Sequence, residues 1–316
     1  MSNPQSDQRT SRFPIKTMIS SKLSCLLPTV ALTALLALFG CSVAPQDSLV
    51  LETMSFNIRY GTAKDGENHW EKRKKLVFGV FAEHQPQIVG IQEALDVQIE
   101  EIKSANSQYT HLGIGRDSNS TGEYAAILYL KSQFEVLESD TFWLSETPEV
   151  RSTHWGNKIV RICTWAHFRN KASDRSFYVF NAHFDHKSQE SREQSALLIA
   201  QRIAERSTKG DPYILMGDFN AGEKTQTILS LIGESDPIGP HSTEAPLIDT
   251  FRALHPIAEA TGTFGAWTGK TDGSKIDYIF AGPSSEVMEA EILHDNSDGR
   301  YPSDHFPVTA KLRFKN

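Results

Sequence analysis

After residue 48, the chain alternates short apolar runs with segments in which apolar residues recur at helical spacing. Residues 49–58 and 87–91 are apolar on both faces, which is typical of buried strands. Between them, residues 70–84 carry apolar side chains three and four positions apart, and Pro86 follows, so the pattern predicts an amphipathic helix that ends there. A strand, a helix and a second strand in this order indicate an α/β domain.

The rest of this region repeats the same alternation, with more strands in its middle part. Residues 145–160 have no clean period and predict a long loop that faces the substrate. Further helices are predicted at residues 95–104, 189–206 and 225–232. Further strands are predicted at residues 109–115, 124–131, 134–137, 141–144, 161–169, 177–182, 213–216, 275–280, 286–293 and 307–312.

The strand at residues 213–216 ends in a glycine, a carboxylate and a carboxamide. Gly217 allows the backbone to turn or to approach another group closely. Asp218 and Asn220 alternate around Phe219, so in an extended chain they point the same way. A carboxylate beside an amide that can donate suits a site that holds a water molecule and a phosphate oxygen.

Polar side chains also stand at the ends of the other predicted strands. Each alone has an ordinary explanation as a turn former, a helix cap or a satisfied core histidine. Together they predict a ligand site, because such sites gather where several strand ends meet. Oxygen donors without cysteine favour Mg²⁺ or Mn²⁺, and histidines beside such an ion suit phosphoester hydrolysis. The set comprises Asn57, Glu93, His183, Asp218, Asn220, Asp277, Asp304 and His305.

The first 41 residues differ from the rest. Lys16 and Lys22 precede an apolar stretch that ends in Gly40-Cys41, which predicts a secretory signal of the lipoprotein type with Cys41 as the lipidated residue. A membrane-spanning helix is the alternative, although the stretch is short for one. Met18 is an alternative start. We therefore expect an exported, lipid-anchored protein facing the periplasm or the cell exterior, with a signal segment at 1–41, a linker at 42–48 and one catalytic domain at 49–316.

Composition limits the possible partners. Hydrophobic residues make up 39% of the chain and charged residues 22%, as in a globular protein with a sizeable core. The formal net charge of −7 falls to about −10 without residues 1–41. An acidic body disfavours non-specific binding to duplex nucleic acid. Cys163 is the one cysteine after the signal segment, so no disulfide framework can form within the domain. A monomer is expected.

The order of the motifs resembles the endonuclease/exonuclease/phosphatase superfamily. The resemblance spans about residues 49–316 and implies a four-layer α/β/β/α sandwich of two packed mixed sheets flanked by helices. Further patterns, such as residues 65–68, 141–148 and 184–186, resemble bacterial secreted members related to the carbon-catabolite-repressor and nocturnin branch. The motifs are Phe56-Asn57-Ile58-Arg59, Gln92-Glu93, Asn181-Ala182-His183, Gly217-Asp218-Phe219-Asn220, Ile276-Asp277-Tyr278-Ile279 and Ser303-Asp304-His305-Phe306-Pro307-Val308.

The resemblance also implies roles for these residues. Glu93 would be the principal metal ligand, assisted by Asn57 and Asp304. Asp218 would orient or deprotonate the attacking water, and Asn220 would bind the phosphate. Asp277 would orient His305, and His305 and His183 would stabilise the developing charge. Which group is the base, and whether one or two metals bind, stays open.

The substrate is less sharply defined. Arg59 stands where apurinic-site endonucleases of the superfamily have an acid, and Asp277 lacks the flanking residues of inositol polyphosphate 5-phosphatases. Arg59, Arg161 and Trp267 are predicted substrate contacts and favour a nucleotide or nucleic acid. A sugar phosphate or a phospholipid headgroup is the alternative substrate, and a non-catalytic surface-binding lipoprotein is the alternative to an enzyme.

Overall fold

The computed structural model describes residues 48–118, 120–235 and 246–315. The predicted signal segment and Cys41 lie outside these residues. The helices are α1 (Trp70–His84), α2 (Asp96–Ala105), α3 (Gln189–Ala204), α4 (Gln226–Leu231) and α5 (Thr250–Leu254). The strands are β1 (Leu49–Asn57), β2 (Ile88–Ala94), β3 (Tyr109–Leu112), β4 (Tyr124–Leu130), β5 (Phe134–Trp143), β6 (Ile162–Asn170), β7 (Ser176–His183), β8 (Tyr213–Asp218), β9 (Ile248–Asp249), β10 (Asp277–Ala281), β11 (Ser285–Ile292) and β12 (Val308–Phe314).

These strands form two mixed six-stranded sheets. The first has the order β11-β12-β1-β2-β4-β3, and the second has the order β5-β6-β7-β8-β10-β9. Each contains one parallel pair, β1 with β2 and β7 with β8, while the other neighbours are antiparallel. Because parallel strands end at the same edge, each sheet delivers the last residues of two strands to one place.

The two sheets pack face to face with helices outside. Leu51, Phe177 and Ile214 belong to a buried core shared by both sheets. A second core joins the first sheet to α1 and α2, and a third joins the second sheet to α3 and α4. The predicted four-layer α/β/β/α sandwich is confirmed. Among the described residues, no helix combines the length and the apolar character needed to cross a membrane.

The prediction of two separate strands at 134–137 and 141–144 was wrong. The structure has one strand, β5, with a register shift between Val136 and Glu138. β5 is an edge strand, and residues 138–140 are exposed, so their polarity resembles that of a turn. The short elements β9 and α5 were not predicted, because neither is long enough to show a period.

Candidate active site

The predicted polar residues meet where the strands end. β1 and β2 bring Asn57 and Glu93 to one edge, and in the second sheet His183 pairs in register with Asp218. Asp218 in turn pairs with Asp277 across β8 and β10. Gly217 is required here, because a Cβ on it would lie 2.0 Å from the carbonyl oxygen of the neighbouring strand. The register of the two sheets therefore fixes the relative positions of these side chains.

Several site residues have strained backbones. Arg59, Glu93 and Asn220 are not glycines, yet their φ angles are 56°, 60° and 48°. Glu93 also lies at a register shift in the pairing of β2 with β4, which turns its side chain out of the regular alternation. Such left-handed residues cost about 1–3 kcal/mol each and cluster at functional sites. The strain is consistent with side chains held for a ligand.

Asp304 and His305 reach the site from a turn. Neighbouring residues of a strand point to opposite faces, so a shared site requires Asp304 and His305 to precede the strand. β12 begins only at Val308, after Pro307. The hydroxyl of Ser303 donates to the carbonyl oxygen of Asn57 at 2.6 Å and ties the turn to the end of β1. Both residues therefore precede β12, as a shared site requires.

Two carboxylates face His305. Its Nδ1 lies 2.9 Å from Oδ2 of Asp277, and its Nε2 lies 3.9 Å from Oδ2 of Asp218. The same Asp218 oxygen accepts from Nδ2 of Asn57 at 3.0 Å and lies 3.5 Å from Nε2 of His183. All of these groups are buried. Asp218 is thus the centre of the cluster, with a histidine on each side.

Burial and neighbouring charges separate the protonation states of these groups. Burial, with the nearby Asp277, raises the pKa of Asp218 to about 7. Burial alone would lower the pKa of His305, but Asp277 and Asp218 outweigh it, so that pKa lies well above its ordinary value. Burial and the guanidinium of Arg161 hold the pKa of His183 well below its ordinary value. At neutral pH, His305 is a cation and His183 is neutral.

The donor set fits a hard divalent cation. Glu93, His183 and Asp218 offer ligand atoms within 4.8 Å of one another. Asp304 faces the same region, with its pKa raised by burial. Carboxylate oxygens without thiolates suit Mg²⁺ or Mn²⁺.

The amide groups of Asn57 and Asn220 make hydrogen bonds within the protein. Nδ2 of Asn57 donates to Glu93 at 3.2 Å, and its Oδ1 accepts from the backbone of Arg59 at 3.0 Å. Metal ligation by Asn57 stays a prediction that requires this amide to present its oxygen. Asn220 lines the cavity and donates from Nδ2 to the carbonyl oxygen of Phe184 at 3.1 Å. Phosphate binding by Asn220 likewise stays a prediction.

Arg59 lies between the predicted metal ligands. Its guanidinium makes two 3.0 Å hydrogen bonds to Asp65, and it lies 3.8 Å from Glu93 and 3.7 Å from Asp304. The hydrogen bond to Asp65 raises the pKa of Arg59 further, with added contributions from Asp304 and Glu93. The carboxylates of Glu93 and Asp304 therefore both lie near the positive charge of Arg59.

A cavity of about 490 Å³ opens over these groups. Arg161 lines it and is 4% exposed. Its Nη1 lies 2.9 Å from Nε2 of His183, and its Nη2 lies 3.0 Å from Nδ1 of His186. The cavity is also lined by Arg59, Tyr60, Glu93, Arg116, Glu123, Ile159, His183, His186, Asp218, Asn220, Phe264, Ile276, Asp304 and His305.

The aromatic contact from the loop at residues 262–273 differs from the predicted one. The ring of Trp267 lies 5.1 Å from the guanidinium of Arg73, and Trp267 does not line the cavity. Phe264, three positions earlier, lines it with its ring centroid 5.0 Å from that of His305. Both aromatics come from one Gly/Thr-rich loop, so the sequence alone does not separate them.

Other functional candidates gave no clear signal in the sequence. Arg73 lies in a highly charged helix typical of a solvated face, yet it is buried and donates to the carbonyl oxygens of Ile58 and Pro302, both at 2.8 Å. Arg116 and Glu123 line the cavity from a connection that has no period, and His186, part of the pattern at residues 184–186, lines it without having been given a role from the sequence. Arg73 thus joins the end of β1 to the turn before Asp304.

Comparison with known proteins agrees with this geometry. The model of the Endonuclease/Exonuclease/phosphatase family matches residues 54–305, which include all eight strand-end residues. The chain belongs to this family. Members of this family are hydrolases that act on phosphate esters.

Several relatives share most of this fold. A family protein of Bacteroides vulgatus is 34% identical, with a TM-score of 0.76, and the match covers 84% of this chain and 100% of that one. A mannosyl-6-phosphatase of Bacteroides thetaiotaomicron is 32% identical, with a TM-score of 0.74, over 83% of this chain and 99% of that one. Nocturnin of Drosophila melanogaster is 25% identical over 76% of this chain. The chain spans 41% of the length of that curated relative.

Proposed function

We propose that the protein is a divalent-metal-dependent phosphoesterase that acts on a small phosphate ester. The observation that carries the proposal is the cluster at the floor of the cavity, in which Asp218 lies between a cationic His305 and a neutral His183. A base whose pKa is near 7 beside a fixed cation suits attack by water on a phosphate.

Each residue has a chemical task in this proposal. Glu93 and Asp304, with Asn57, would hold the metal. When bound, the cation draws negative charge from the phosphate oxygens and strengthens the phosphorus as an electrophile. Asp218 takes a proton of the attacking water, the new bond forms between the water oxygen and phosphorus, the ester P–O bond breaks, and the alcohol oxygen takes up a proton from solvent as it leaves. The imidazolium of His305 stabilises the charge on the phosphate oxygens.

The cavity favours a compact substrate. Its volume of about 490 Å³ falls within the usual range of small-molecule sites, about 300–1,000 Å³. The acidic chain offers little general attraction to a polyanion. A sugar phosphate is therefore the preferred candidate, and the mannosyl-6-phosphatase among the relatives supports it.

A nucleotide is the second candidate substrate. The sequence favoured a nucleotide or nucleic acid. Phe264 lines the cavity and is 46% exposed. An exposed aromatic face can stack on a base, with a contribution of about 1–3 kcal/mol.

A panel of esters separates these candidates. Purified protein with Mg²⁺ would be given a hexose 6-phosphate, a nucleoside monophosphate, a single-stranded oligonucleotide and a glycerophosphodiester. We expect the highest kcat/KM for the hexose 6-phosphate. A higher value for the oligonucleotide would favour a nuclease, and no turnover of any ester would refute the proposal.

We also propose that the protein is exported and held at a membrane by lipid on Cys41. The basic, apolar and cysteine-ending pattern of the first 41 residues supports this location.

Replacing Cys41 with alanine tests the anchor. The Cys41→Ala variant should leave the membrane fraction or accumulate in its unprocessed form, because no thiol is left to carry the lipid. Cell fractionation and the mass of the purified protein measure both outcomes. Unchanged size together with unchanged membrane association would point to a spanning helix instead.

A further inference from the structure

One wall of the cavity carries an ion pair that the proposed mechanism does not use. In the connection between β3 and β4, Nη1 and Nη2 of Arg116 lie 2.8 and 2.6 Å from the two carboxylate oxygens of Glu123. The two side chains are 18% and 14% exposed. Nε1 of Trp143 donates to the carbonyl oxygen of Arg116 at 2.9 Å and fixes the pair to the end of β5. The pair is therefore a rigid part of the cavity wall.

The charges in this part of the cavity balance. Beside the Arg116–Glu123 pair, the buried Arg161 lies 3.7 Å from the carboxylate of Asp185. Two guanidinium groups are thus matched by two carboxylates, and burial lowers the pKa of His186, which favours its neutral form. A second phosphate would meet no surplus positive charge here. The wall suits a neutral polar group.

The polar atoms of the wall match hydroxyl groups. A carboxylate only accepts hydrogen bonds, and a guanidinium only donates them, whereas each hydroxyl does both. Each carboxylate oxygen of Glu123 accepts one hydrogen bond from Arg116, and a carboxylate oxygen has a lone pair for a second donor. Adjacent hydroxyls would supply it with donors.

We infer that Glu123, held in place by Arg116, is a specificity residue that binds the hydroxyl groups of the alcohol part of the substrate. The substrate is then a phosphate ester of a polyhydroxylated alcohol, such as a hexose 6-phosphate. This inference rests on the proposed function, because the alcohol must extend from a phosphate bound at Asp218 and His305.

The test compares two esters and two variants. Glu123→Gln removes the charge and keeps the shape. Asp117→Asn is the matched control, since Asp117 pairs with Arg151 in the same connection but does not line the cavity. The kcat/KM of each protein is measured on a hexose 6-phosphate and on phenyl phosphate, which has no hydroxyl to recognise. Turnover of phenyl phosphate also reports how much protein is folded.

Glu123→Gln should lose about 10- to 100-fold in kcat/KM on the hexose phosphate, the range expected for hydrogen bonds to a charged group. Its activity on phenyl phosphate should stay within about twofold of wild type, and Asp117→Asn should match wild type on both esters. An equal loss on both esters, or no loss on either, would overturn the inference.

A binding measurement keeps the inference separate from the proposed function. In an Asp218→Asn background, calorimetry would compare inorganic phosphate with hexose 6-phosphate, with and without Glu123→Gln. We expect weaker binding of the hexose phosphate and equal or tighter binding of phosphate, because Arg116 loses its counter-charge. If wild type hydrolyses no ester, the proposed function fails. In that case, two results would refute the inference. One is that Asp218→Asn does not bind hexose 6-phosphate in preference to inorganic phosphate, and the other is that adding Glu123→Gln leaves this preference unchanged.

Discussion

Replacing Glu93 with glutamine should lower kcat/KM by about a thousandfold, several kcal/mol of transition-state stabilisation, and should weaken Mg²⁺ binding in parallel. Glu93 accepts a hydrogen bond from Asn57, and its ligand atom lies within 4.8 Å of that of Asp218. Its carboxylate is the predicted principal metal ligand. Glutamine keeps an oxygen that can accept from Asn57 but loses the charge that a divalent cation requires. Kinetics and calorimetric titration with Mg²⁺ measure the two effects.

Glu101→Gln is the matched control for this variant. Glu101 also accepts hydrogen bonds, from Trp70 and Lys74, but it lies on α2 away from the cavity. It should retain wild-type turnover and Mg²⁺ affinity. If Glu93→Gln bound Mg²⁺ as tightly as wild type, the metal would be held elsewhere.

Replacing Asp277 with asparagine should lower kcat by about a hundredfold or more and move the alkaline limb of the pH–rate profile to lower pH. The Asp277 carboxylate, 2.9 Å from Nδ1 of His305, favours the protonated imidazole and so raises its pKa. Without this carboxylate, His305 loses its proton at lower pH, and the charge that stabilises the phosphate is lost with it. Full pH–rate profiles of both proteins measure the shift.

The second sheet offers a matched control for this pair. His167 and Asp211 lie 2.7 Å apart, far along the strands from the cavity. Asp211→Asn breaks the same kind of contact and should leave both kcat and the pH profile unchanged. Wild-type turnover and an unshifted alkaline limb in Asp277→Asn would make Asp277 a structural strand residue.

The sequence predicted those site residues that directly follow a strong local pattern of apolar residues. Asn57, Glu93, His183 and Asp218 each end an apolar run, and the parallel pairs bring such ends together. The packing of the two sheets against each other was predicted from the family resemblance and not from periodicity. The placement of Asp304 and His305 before the last strand follows from strand alternation and is supported by Pro307, because proline is poorly tolerated inside a strand.

The missed features depend on contacts that are distant in the sequence. Arg73 is buried only because carbonyl oxygens from β1 and from the turn near residue 302 converge on it. Trp267 packs on that guanidinium, so Phe264 becomes the aromatic wall of the cavity. Glu123 is a candidate specificity residue because it lines the cavity and pairs with Arg116. No spacing in the sequence predicts that pairing.

The most direct test of the central claim is hydrolysis in water labelled with the heavy oxygen isotope. Wild-type protein, a hexose 6-phosphate and Mg²⁺ should release inorganic phosphate that carries the label, because the water oxygen bonds to phosphorus. Chelator should abolish release, Mg²⁺ should restore it, and Asp218→Asn should show almost none. Label in the alcohol, or undiminished release in chelator, would contradict metal-dependent attack by water on the phosphate.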